Sequence, residues 1–118
     1  MRIVHITMHG EIVGGTETYA ADLHRLLEWE GHEITLLHGL AVTRPLQAIA
    51  PARVHVPALR PDAGPWSQRA ADVRRIVERL APDVILAHDV EEADLLRLLA
   101  RLRPTICLLY TSPSPRDS

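Results

Sequence analysis

The sequence predicts an α/β fold, a Rossmann-like doubly wound parallel sheet. Two observations carry that expectation. Apolar runs of strand length alternate along the chain with amphipathic runs of helical length. The strand runs are apolar at successive positions, as in Val84-Ile85-Leu86-Ala87, which suits strands covered by helices on both faces.

Residues 2–7 read as the first strand. A loop with Gly10, Gly14 and Gly15 follows, and Thr16 is placed to cap a helix running to about residue 30. Tyr19, Leu23, Leu26 and Leu27 fall at helical spacing and form its expected apolar face. Gly31 suits the C-terminal cap, and residues 32–37 make the second strand. Residues 40–64 are rich in Pro and Ala and read as a loop with a short strand at 53–56. A second helix over 67–81 turns Val73, Ile76, Val77 and Leu80 inward, and Pro82 ends it. A buried strand at 83–87, a third helix over 91–102 with Leu95, Leu96, Leu99 and Leu102 inward, and a strand at 105–109 complete a domain spanning 1–109. Residues 110–118, Tyr-Thr-Ser-Pro-Ser-Pro-Arg-Asp-Ser, lack any periodicity and are expected to form a disordered, non-native tail.

Composition removes several function classes. Lys plus Arg total 13 against 15 Asp plus Glu, a net charge of −2, so nothing draws the chain electrostatically to nucleic acid or an anionic membrane. Two Trp, two Tyr and no Phe leave no base-stacking platform. The single cysteine, Cys107, forms no intrachain disulfide and no cysteine zinc cage, which fits a reducing cytoplasm. No apolar run has the length of a membrane span, and the first residues lack a signal-peptide core. A cytoplasmic enzyme or binding domain is expected.

Ligands of such sheets bind beyond the C-terminal strand ends, and two segments have that address. The first is the loop from His9 to Glu17. Adjacent Gly14 and Gly15 allow close backbone approach, and the N–H groups of the helix that follows favour an anion such as a diphosphate. The glycine spacing is not the dinucleotide fingerprint, and Thr16-Glu17 stands where a P-loop requires Lys and Ser or Thr. A tight turn with no ligand accounts for the glycine pair equally well. The second is Ala87-His88-Asp89-Val90-Glu91, where His88 could bind a sugar hydroxyl or move a proton. The alternative there is a plain helix start with Asp89 as its N-cap. His5 reads as a satisfied core or edge residue and His24 and His32 as surface residues, while His38 and His55 show no ligand spacing. No metal site and no nucleophile with a base emerge.

These pieces together resemble a known family. Met1-Arg2-Ile3-Val4-His5-Ile6-Thr7, then Val13-Gly14-Gly15-Thr16-Glu17, then Glu30-Gly31-His32-Glu33-Ile34, then Pro82-Asp83-Val84 leading to His88 match, in order, the opening of family-4 glycosyltransferases. The resemblance covers about residues 1–106. It implies the GT-B layout, with two Rossmann-like domains across a cleft. This chain would be the N-terminal, acceptor-side domain, cut off before a C-terminal domain that holds most of the nucleotide-sugar. The sugar would pass to an acceptor with retention of configuration. Gly14 and Gly15 would approach the donor diphosphate, with Thr16 and Glu17 supporting the loop. His88 would contact the transferred sugar as the catalytic residue, and His9 and Asp89 are acceptor-side candidates. The nucleotide-sugar enters as substrate, and neither cofactor nor metal is implied. Peripheral membrane association suits relatives with lipid acceptors, but no basic amphipathic helix here supports it.

The chain departs from the family in lacking the Glu-x7-Glu donor motif and the later Thr-x-His segment. Two alternatives stay open. A nucleotide-sugar 2-epimerase-like GT-B domain would share the layout but change the reaction. A stand-alone, non-catalytic α/β binding domain suits the length, although the first strand ends without the acidic pair of a receiver domain.

Overall fold

The computed structural model describes residues 1–12 and 14–108, the side chains of residues 15 and 16 left aside. β1 (Arg2–Thr7) leads through the glycine loop into α1 (Gly15–Trp29) and β2 (Glu33–His38). A connection with two 3-10 turns, Pro45–Gln47 and Pro57–Leu59, flanks β3 (Arg53–His55). α2 (Trp66–Leu80), β4 (Val84–His88), α3 (Ala93–Leu102) and β5 (Thr105–Leu108) follow. The expected strand end at Leu109 and the expected tail lie outside the described residues.

The predicted architecture is present. Every strand pairs in parallel with its neighbours, in the order β3-β2-β1-β4-β5. The chain steps outward from β1 to β3, then returns to the far side of β1 to lay down β4. The strand order therefore reverses between β1 and β4, and their C-terminal ends border the crevice where such sheets bind ligands.

Side chains alternate across the sheet. Val4, Ile6, Leu37, Ile85 and Ala87 point to the face covered by α2 and α3, where Val73, Val77, Leu95, Leu98 and Leu99 close the main core. Leu36 packs with Ala20 and Ala21 of α1 on the other face. An ion pair between buried Arg69 and half-buried Glu92 ties the first layer together. The Arg69 guanidinium grips both carboxylate oxygens of Glu92 and donates from Nε to the Ala58 carbonyl at 3.0 Å. No sequence pattern announced this arginine in the middle of a core.

Three details differ from expectation. First, α1 is rotated: its buried residues are Glu17, Ala20, Ala21 and His24, while Tyr19 and Leu26 are 49% and 56% exposed. Small residues let the helix lie close to the sheet, and leucine periodicity does not register them. Second, the N-cap is Gly14, so Thr16 falls inside the first turn, and Thr18 bonds back to the Gly14 carbonyl from both its N–H and its hydroxyl. Third, α3 begins at Ala93 with Glu92 as cap, so Asp89 is not its N-cap. Arg69 holds Glu92 at that helix start. Gly31, with φ 91°, closes α1 as expected: its N–H reaches the Glu28 carbonyl and the His32 N–H that of Leu27, a Schellman closure.

Candidate functional site

The strand ends carry the site. Pairing runs one residue further than expected in β2 and β4, so β2, β3 and β4 all terminate in histidine: His38, His55 and His88. His88 lies on the α1 face, as His5 does two positions deeper in neighbouring β1, and the two imidazoles stack with centroids 5.4 Å apart.

These rings belong to a buried chain of three. His5 Nδ1 is 2.7 Å from His24 Nε2, and His5 Nε2 is 3.2 Å from His88 Nδ1. None is more than 2% exposed. Burial, and then the positive charge that His24 and His88 would carry, lowers the His5 pKa to about 3. Burial lowers that of His24 to about 4. Both rings are therefore neutral near pH 7. The expectation that His24 is a surface residue is corrected, because its helix face is the one against the sheet. A readable signal existed: Ala20 and Ala21 mark the small-residue stripe of α1, and His24 lies one turn on.

At its outer end, His88 meets two groups. Tyr19 stands edge-on to its ring at 5.8 Å. Asp89 places Oδ2 4.0 Å from His88 Nε2. Asp89 also has φ 53°, the left-handed conformation that few residues other than glycine adopt, and its N–H is bonded to the Leu108 carbonyl at 2.9 Å. Strained backbone at the switch point of the sheet is the kind of feature that concentrates at functional sites.

The glycine loop is rigid where it meets the 43–49 segment. The Glu11 carboxylate accepts from the Thr43 and Arg44 backbone N–H groups, the Thr43 hydroxyl and Arg44 Nε. Desolvation pushes its pKa up, but these bonds from Thr43 and Arg44 outweigh it and hold the carboxyl below its ordinary range. Gly10 bonds Ile49 and lies so close to His38 that a Cβ would sit 2.6 Å from the ring. Gly14 differs, since a Cβ there would meet only Glu17 Oε1, at 3.9 Å. The loop glycine that the packing demands is thus Gly10, and over Gly14 no other described residue comes within 4 Å.

The predicted residues divide accordingly. His88 and Asp89 meet at the mouth of β4, and Tyr19, near the start of α1, joins them to the helix entered through Gly14. Glu17 is buried in the first turn of α1. His9 is exposed in the loop, and its ring makes no hydrogen bond among the described residues. Sequence reasoning missed His5, His24 and Tyr19 as parts of this region. His38 and His55 stack at 5.4 Å, each bonding a backbone carbonyl, of Leu40 and Gly39 respectively. Among the described residues no group of three His, Cys, Asp or Glu is arranged to hold a metal ion. A hollow of about 710 Å³ along α2 is lined, among the described residues, by that helix alone, with Ser67, Arg74, Arg75, Glu78 and Arg79 along it, and lies away from the strand ends.

A family model described as Glycosyltransferase Family 4 matches residues 13–114. The chain belongs to glycosyltransferase family 4. The match takes in the start of α1, His24, His88 and Asp89, and begins after His5. No curated protein and no solved structure matches the chain. Membership and the parallel α/β sheet agree on a glycosyltransferase domain of Rossmann-like fold.

Proposed function

We propose that this domain is the acceptor-side half of a GT-B enzyme that transfers a sugar from a nucleotide-sugar to an acceptor with retention of configuration. The observation that carries the reading is the meeting of His88 and Asp89 at the strand-order switch, beside the start of α1. The N–H groups of that helix start and its dipole favour the donor diphosphate, and a Cβ at Gly14 would meet only Glu17 among the described residues. Thr16 and Glu17 shape this turn. Asp89 offers a carboxylate to a hydroxyl, His88 contacts the transferred sugar once the Tyr19 ring turns aside, and His9 lines the acceptor side from the loop. The nucleotide-sugar acts as substrate without cofactor or metal. A C-terminal GT-B domain supplies most donor contacts, and the cytoplasm is the compartment that fits the exposed, unpaired Cys107. No helix among the described residues is long and apolar enough to cross a membrane.

Transfer needs donor and acceptor held together in a closed cleft. The chain by itself is therefore expected to bind nucleotide-sugars weakly and to transfer nothing. Saturation-transfer NMR with UDP-, GDP- and ADP-sugars tests this. Contact that the Asp89→Ala and His88→Ala variants lose supports the reading. Absence of contact with every nucleotide-sugar, or contact indifferent to both substitutions, overturns it.

A further inference from the structure

We propose that His5 and His24 are positioning residues that lock His88 into one tautomer, with an N–H on its Nε2 facing Asp89. This rests on the reading that His88 and Asp89 face the sugar.

Proton counting links the three rings. A neutral imidazole has one N–H donor and one lone-pair acceptor. His5 uses both nitrogens, toward His24 Nε2 and His88 Nδ1, so the three tautomers are set together. Two assignments satisfy both bonds. In one, every N–H points outward: His24 Nε2–H to His5, His5 Nε2–H to His88, and His88 Nε2–H toward Asp89. In the other, every N–H points inward, which leaves His24 Nδ1–H at the buried end. That Nδ1 has no hydrogen-bond partner among the described residues. A buried orphan N–H is rarer and costlier than an orphan lone pair, so the inner end selects the outward set. The outer end agrees, because Asp89 Oδ2 at 4.0 Å from His88 Nε2 favours a hydrogen over a lone pair. Burial supports both choices by keeping His5 and His24 neutral.

The consequence is a statement about ligand chemistry. A separation of 4.0 Å is too long for a hydrogen bond, yet lets one oxygen lie within bonding reach of both atoms. That oxygen must accept from the N–H and donate to the carboxylate. A sugar hydroxyl does both, whereas a phosphate oxygen without a proton meets repulsion from Asp89.

Nitrogen-15 long-range correlation NMR of the whole chain near neutral pH reads each ring directly. The expected result is the Nε2–H tautomer for His5, His24 and His88. His24→Phe removes the donor to His5 and should turn His88 into a tautomer mixture, while His24→Gln, whose amide restores a donor, should return the single form. A His88 protonated on Nδ1 in the unsubstituted chain overturns the proposal without any variant, as does a His88 tautomer that His24→Phe leaves unchanged. Glucose serves as the hydroxyl probe. If the tautomers are as expected but glucose shifts neither His88 nor Asp89, the relay stands and the sugar-site reading falls.

Discussion

His5 in the central strand and His24 in the covering helix share a 2.7 Å hydrogen bond inside the protein, and His5, with both ring nitrogens engaged, cannot gain a proton without breaking that arrangement. Their pKa values of about 3 and about 4 lie below the ordinary value of 6.5. Below pH 6.5 the unfolded chain therefore takes up protons that the folded chain refuses. The stabilisation is fully present above pH 6.5 and is lost as the pH falls toward 4. Each histidine contributes a slope of about 1.4 kcal/mol per pH unit in that window. Urea midpoints should fall between pH 7 and pH 5, and the fall should be shallower in His24→Gln. Glu11, held below its ordinary carboxylate value by Thr43 and Arg44, takes up its proton below the pH 7 to pH 5 range and does not mask the effect. A flat profile over this range would show that the buried rings accept protons freely.

The two loop glycines should respond oppositely to a methyl group. In Gly10→Ala the new Cβ would lie 2.6 Å from His38 Cγ and 2.8 Å from Val42 Cγ2, in a loop pinned at both ends. Overpacking of that kind costs about 1–3 kcal/mol. In Gly14→Ala the Cβ meets only the end of Glu17 among the described residues, and the loss is that of a favoured N-cap residue, about 0.5–1 kcal/mol. Chemical denaturation of the two variants checks the contrast. Equal losses would mean that Gly14 is a packing glycine and that the space above it is not kept for a ligand.

Strand and helix order was legible because a parallel sheet needs unbroken apolar strands and amphipathic crossovers, and Val84-Ile85-Leu86-Ala87 or the Leu95, Leu99 pair can hardly do anything else. The phase of α1 was not legible. Its leucines suggested one face, and the close packing of Ala20 and Ala21 chose another, which carried His24 inward and Tyr19 out to the site. His88 was visible from its place after a strand. Its partners were not, because His5 and His24 are 83 and 64 residues from it in sequence (88 − 5 and 88 − 24), and only the β1–β4 crossover brings them together. Arg69 escaped for a related reason: a charged residue on a core face is readable only with its acid, and Glu92 belongs to another helix start.

Arg69→Met should destabilise more than its loss of charge alone implies. The guanidinium is 4% exposed, and its removal leaves the Ala58 carbonyl and the Glu92 carboxylate without their donor. Breaking one side of a buried pair costs about 3–5 kcal/mol. Arg69→Met with Glu92→Leu should recover much of that, since replacing both partners removes the stranded charge. Thermal melts of the two single variants and the double variant form the cycle. Additive losses would show that the two groups are independent.

Asp89 supplies the sharpest separation of stability from function. Its φ of 53° is costly for a side chain and free for glycine. Asp89→Gly should therefore be tolerated better than Asp89→Val, by about 1–2 kcal/mol, because a β-branched residue resists this conformation. Nucleotide-sugar contact should disappear in both. A residue whose replacement by glycine keeps the fold and abolishes binding is retained for the ligand. If Asp89→Gly instead unfolds the chain at lower urea while binding survives, the carboxylate is a structural clamp on the β4 end, and the hydroxyl-binding role passes to His88 alone.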